Sequence, residues 1–144
     1  MAIIPVFIPH AGCPHQCVFC NQKTISGQQT ASSRDVEQQL ERYLQWIKPG
    51  PSNEAAFYGG SFTGLPADLQ TELFRPVDKL LAEGVIGSVR LSTRPDYIDA
   101  ARLELLQAHG VKTVNWVCSR WTIMFWQRQS GGIRLPMFIR LFLC

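Results

Sequence analysis

The sequence has no polybasic run, no apolar stretch long enough to cross a membrane and, beyond Val114, no acidic residue. Each absence removes a class of function. Nucleic-acid binding draws on clustered Lys and Arg, and the net charge of +3 supplies no such cluster. Residues 1–114 hold 10 basic against 11 acidic side chains, so the excess lies wholly in residues 115–144, which carry four arginines. A membrane span needs about 20 apolar residues. Residues 1–8 are apolar, but they lack a basic flank and run directly into a cysteine-bearing segment, so they read as a first strand rather than a signal peptide. No membrane partner is expected. The cysteines number five, an odd count with three clustered, which argues against a disulfide framework and for metal ligation in a cytoplasmic, reducing compartment. A chain of 144 residues, 46% hydrophobic and 17% charged, makes one globular domain.

Up to Val114 short apolar runs alternate with helix-period segments. Residues 3–8 read as a strand interrupted by Pro5. Ser32 with Asp35 opens a helix whose apolar face is Val36, Leu40, Tyr43, Leu44 and Ile47. Residues 55–58 form a second strand. Pro66 opens a helix through Leu81, kinked or broken at Pro76 and stopped by Gly84. Residues 88–92 form a third strand. Asp96 then caps a helix with Ile98, Ala101, Leu105 and Leu106 on one face, closed by Gly110, while His109 faces solvent. Residues 112–114 begin a fourth strand. Such alternation implies an α/β fold with a parallel sheet, either a barrel or a doubly wound sheet, and both bind ligands at the C-terminal strand ends. Three distinctive segments fall at those ends: Cys13 to Cys20, Gly59-Gly60-Ser61, and Ser92-Thr93-Arg94 with Pro95 and Asp96.

Cys13, Cys17 and Cys20 supply three thiolates, one short of a closed four-ligand site. Thiolates at this spacing can wrap a cubane iron-sulfur cluster and leave one iron open, as a reactive centre requires. Zinc with His10 or His15 as fourth ligand is the competing reading. Gly59-Gly60 can equally be an ordinary strand-ending turn, and residues 92–96 a loop that caps a helix.

The segment "CPHQCVFC", with Phe19 before the last cysteine, resembles the CxxxCxxC signature of the radical S-adenosylmethionine (SAM) superfamily. "IPVFIPHAGCPHQCVFCNQ", "FYGGSFTG" and "LSTRPDYID" resemble one branch, bacterial proteins related to the Elongator catalytic subunit and to oxygen-independent coproporphyrinogen oxidase. The resemblance spans roughly residues 3–114 and implies an incomplete (β/α) barrel, the N-terminal part of a radical SAM core. It implies that Cys13, Cys17 and Cys20 bind a 4Fe-4S cluster whose open iron is chelated by SAM. An electron, from a donor such as flavodoxin or ferredoxin, then cleaves SAM to a 5′-deoxyadenosyl radical that abstracts a substrate hydrogen. Gly59, Gly60 and Ser61 match the segment that lies along SAM, although many relatives carry Glu where this chain has Ser61. Ser92, Thr93 and Arg94 match the segment that contacts the SAM ribose or carboxylate. No residue indicates the substrate.

Residues 115–144 read differently, with Trp116, Trp121 and Trp126, four arginines and no acid. A membrane-surface or partner-binding tail is one reading, which would make the chain a small zinc-binding interaction module. A lost nucleotide is the other. Joining each codon's third base to the next codon's first two forces Leu from Asn115-Trp116, Gly from Trp116-Val117 and Asp from Trp121-Thr122. It likewise forces Val, Leu and Ala over residues 124–127. The recovered frame resembles the next strand and loop of the same branch. On that reading, residues 1–114 are a partial core domain and residues 115–144 an out-of-frame tail. A barrel so shortened would expose an unpaired sheet edge, would not enclose SAM and a substrate, and would be catalytically inactive.

Overall fold

The computed structural model of the chain describes residues 1–9 and 31–116, together with the backbone of residues 140–143. Its elements are β1 (Ile3–Phe7), α1 (Ser33–Leu44), β2 (Glu54–Tyr58), α2 (Ala67–Ala82), β3 (Ser88–Thr93), α3 (Ala100–Ala108), β4 (Val111–Trp116) and β5 (Arg140–Leu143). All pair in parallel in the order β1-β2-β3-β4-β5. A doubly wound sheet reverses its strand order at a switch point, whereas strictly sequential order is the winding of a (β/α) barrel. The α/β fold is therefore a partial parallel barrel, one of the two architectures that the alternating pattern left open and the one that the resemblance implies.

One face of the sheet carries the core. Ile4 and Val6, Ala55 and Phe57, Val89 and Leu91, and Val114 and Trp116 share that face through the strand register, and all are buried. Val36 and Leu40 of α1, Leu73, Phe74, Val77 and Leu80 of α2, and Leu103 and Leu106 of α3 close over it. The opposite face is more polar, with Arg90 of β3 reaching Glu54 of β2 at 2.8 Å and Ser88 donating to the same carboxylate at 3.0 Å.

The helix boundaries follow local chemistry. Ser32 and Asp35 form a capping box: the Ser32 hydroxyl accepts the Asp35 N–H, and the Asp35 carboxylate accepts the Ser32 N–H. Tyr43, expected on the apolar face, is instead 40% exposed, because Val36 and Leu40 already fill the contact with the sheet. α2 runs through Pro76 without a break. A proline inside a helix costs about 3 kcal/mol, but four buried apolar side chains at about 1.5–3 kcal/mol each outweigh it. α3 is capped by Asp99, whose carboxylate accepts the Arg102 N–H at 2.8 Å, and not by Asp96. Pro95 starts a 3₁₀ turn, Pro95–Tyr97, which delays the helix by one turn. The register moves with it, so Leu103 joins Leu106 in the core while Ala101 is exposed.

His109 does not face solvent. Its ring stacks on Phe74 at 4.5 Å between centroids, and Nδ1 lies 2.9 Å from the Asp78 carboxylate, which ties the end of α3 to α2. β4 continues two residues past Val114, and β5 pairs beside it from Thr113↔Arg140 to Trp116↔Leu143. The edge expected to be bare after the fourth strand is thus covered by residues of the Arg- and Trp-rich tail. Among the described residues, no helix is long and apolar enough to cross a membrane.

Candidate functional site at the C-terminal strand ends

β1, β2 and β3 deliver their C-terminal ends to one rim. The Ile8 N–H donates to the Tyr58 carbonyl at 2.8 Å, which continues the β1–β2 pairing past the last strand residue. The chain turns at Gly59, whose φ of +109° is one that side-chain-bearing residues rarely adopt. A Cβ there would stand 2.2 Å from the Ile8 carbonyl oxygen, so Gly59 lets β1 and the turn after β2 pack in contact. Gly60 and Ser61 follow, then a 3₁₀ turn, Phe62–Gly64, closed by the Leu65 N–H on the Phe62 carbonyl.

A small cleft opens between these ends. Ile8, Pro9, Phe57 and Tyr58 give it apolar and aromatic walls, and Gly60, Ser61 and Ser92 give it polar ones. Pro9, the last described residue before the cysteine-bearing segment, is itself in the wall. Cys13, Cys17 and Cys20, with His10 and His15, lie outside the described residues. Among the described residues no cluster of three or more His, Cys, Asp or Glu is placed to hold a metal.

The six other residues singled out in the sequence take four different places. Gly60, Ser61 and Ser92 line the cleft, and Gly59 lies behind it against β1. Thr93 is fully buried at the end of β3, where its Oγ1 lies 2.9 Å from Ser61 Oγ and 2.5 Å from Thr63 Oγ1. Arg94 is partly exposed at the rim. Its Nε and one terminal nitrogen bind both Asp96 carboxylate oxygens, at 2.9 and 2.6 Å, and the guanidinium lies over the Tyr97 ring at 5.6 Å. The Arg94 backbone N–H donates to Ser61 Oγ at 3.2 Å, which joins the two loops.

Three participants were missed in the sequence. Thr63 bonds Thr93, Gln70 Nε2 donates to the Leu65 carbonyl at 2.7 Å, and Arg102 Nε donates to the Thr63 carbonyl at 3.2 Å. Thr63 stands inside the quoted "FYGGSFTG" segment, but nothing local signals that its hydroxyl meets a residue 30 positions away.

The donor types suit the groups that the cysteine motif implies. Thiolates are the ordinary ligands of iron-sulfur clusters. Hydroxyls and turn backbone beside a side-chain-free Gly60 suit a cofactor that carries an amino-acid end, whereas the Arg94 guanidinium is paired with the Asp96 carboxylate. No curated protein matches the chain. The family model of the radical SAM superfamily matches residues 7–116, from the end of β1 to the end of β4, and so takes in the cysteine segment and all three strand ends. The chain belongs to the radical SAM superfamily.

Proposed function

We propose that this chain carries a radical SAM site in which Cys13, Cys17 and Cys20 hold a 4Fe-4S cluster, and Gly60, Ser61, Ser92 and Arg94 form the surface for SAM, with Gly59 and Thr93 behind it. The observation that carries the reading is the convergence of three strand ends on one cleft, with Pro9 leading from its wall into the cysteine segment. When bound, the cluster and SAM supply a 5′-deoxyadenosyl radical for hydrogen abstraction. The chain's own residues bind and orient. Gly60 leaves the cleft wall free of a side chain, the Ser61 and Ser92 hydroxyls offer polar contacts, and Asp96 and Tyr97 hold the Arg94 guanidinium at the rim. The electron comes from a small reductant such as flavodoxin or ferredoxin. The quoted segments resemble the branch related to the Elongator catalytic subunit and to coproporphyrinogen oxidase, and on this reading the chain belongs to that branch and its site is cytoplasmic.

Cysteine substitution tests this reading. Cys13→Ala, Cys17→Ala and Cys20→Ala each abolish iron and sulfide uptake on anaerobic reconstitution, whereas Cys118→Ala and Cys144→Ala leave it unchanged. A requirement for Cys118 would refute the ligand set.

The same reading holds that residues 115–144 are translated out of frame, with SAM cleavage lost as a result. The family match runs to residue 116, two residues into this segment. One observation favours a second reading in which the tail belongs to the domain: Arg140–Leu143 pairs in parallel with β4. Sequencing the gene from about codon 110 past its stop separates the two, since only the first requires an open frame that continues the family pattern.

A further inference from the structure

Three hydroxyls are buried beside the rim. Thr63 and Thr93 are fully buried and Ser61 is 4% exposed. A buried hydroxyl is costly unless hydrogen-bonded, and valine would fill nearly the same space as threonine with nothing to satisfy. Here every hydroxyl is used. Thr93 Oγ1 accepts the Thr63 N–H at 3.4 Å and shares hydrogen bonds with Thr63 Oγ1 and Ser61 Oγ, and Ser61 Oγ accepts the Arg94 N–H. The turn after β2 is thereby tied to the end of β3 at two points. Its other side is held by Gln70 of α2 and Arg102 of α3. Neither strand needs these bonds to pair, so what they fix is the separation of the two rim loops.

We propose that Thr63 and Thr93 are positioning residues of the SAM site, which act through Ser61 to set the Gly60-Ser61 backbone against Arg94. The proposal rests on the SAM reading above. Its test uses the full chain with reconstituted cluster, equilibrium dialysis against labelled SAM, and thermal unfolding in parallel. Thr63→Val and Thr93→Val each raise the dissociation constant for SAM about tenfold, and Thr63→Ser restores it to within about twofold. Ser88→Ala removes a different buried hydroxyl, bonded to Glu54 at the far end of the strands. It lowers the melting temperature without changing SAM affinity. Thr63→Val that melts earlier yet binds SAM as the wild type does would overturn the proposal, because the hydroxyls would then be structural only. If Thr63→Val does not fold, Ser61→Ala cuts the same chain at its Arg94 end, and unchanged affinity there overturns the proposal equally. Wild-type protein that takes up no SAM overturns the underlying reading and the proposal with it, and the wild-type measurement alone identifies that failure.

Discussion

Gly59→Ala probes the joint on which the rim is built. At φ +109° alanine is strained, which costs about 1–3 kcal/mol. The added methyl would also stand 2.2 Å from the Ile8 carbonyl oxygen and 2.8 Å from the Phe7 ring. The first of these is backbone, so the end of β1 must move away from β2. That motion loosens the 2.8 Å hydrogen bond from the Ile8 N–H to the Tyr58 carbonyl, a loss of about 0.5–1.5 kcal/mol. Together these put Gly59→Ala at about 1.5–4.5 kcal/mol of destabilisation. Two other glycines calibrate the measurement. Gly84 has φ +70° with nothing within 4 Å of an added Cβ, so its alanine variant bears strain alone, about 1 kcal/mol. Gly50 meets nothing and has no positive φ, so Gly50→Ala is neutral or stabilises by up to about 1 kcal/mol. Urea unfolding followed by far-ultraviolet circular dichroism should rank the variants Gly59 below Gly84 below Gly50. Because Pro9 leads on into the cysteine segment, Gly59→Ala should also take up less iron on reconstitution. A Gly59→Ala midpoint equal to that of Gly50→Ala would refute the reasoning.

Two further outcomes follow from the core and the first helix. Phe74 packs against Phe57, Phe62 and His109, so Phe74→Ala should cost about 3–5 kcal/mol in the same unfolding experiment and release the stacked His109 ring. The Ser32 hydroxyl, and after it the Ser32 backbone N–H, hold the Asp35 carboxyl below its ordinary value. A carboxyl depressed on folding contributes stability above its unfolded pKa and loses it as pH falls through its folded value. Ser32→Ala should therefore lower the melting temperature at neutral and alkaline pH and lose less of it on acidification, so that the profile is flatter below about pH 4, as read by thermal unfolding across pH.

Much of this fold could be read locally. The Ser32–Asp35 box, the glycines after α2 and α3 and the Gly59-Gly60 turn are short-range signals, and each stands where the spacing put it. The errors have two causes, a local 3₁₀ turn and tertiary packing. Asp96 looks like a cap as good as Asp99, and only the 3₁₀ turn at Pro95 sends the helix start to the later residue and the apolar face to Leu103. His109 reads as a surface residue because neither Phe74 nor Asp78 is near it in sequence. At the site, which residues gather at the rim was legible, because parallel topology sends every strand end to the same side. The division of labour among them was not. Thr93 looks like a contact residue in the segment "LSTRPD", and its burial against Thr63 depends on a partner 30 residues earlier.

The central claim, a cluster with an open iron that SAM occupies, is tested most directly by anaerobic reconstitution with iron and sulfide, followed by electron paramagnetic resonance of the reduced protein with and without SAM. A brown protein whose reduced signal changes when SAM is added is the predicted result. Colourless protein that retains one zinc ion and shows no such signal would contradict it.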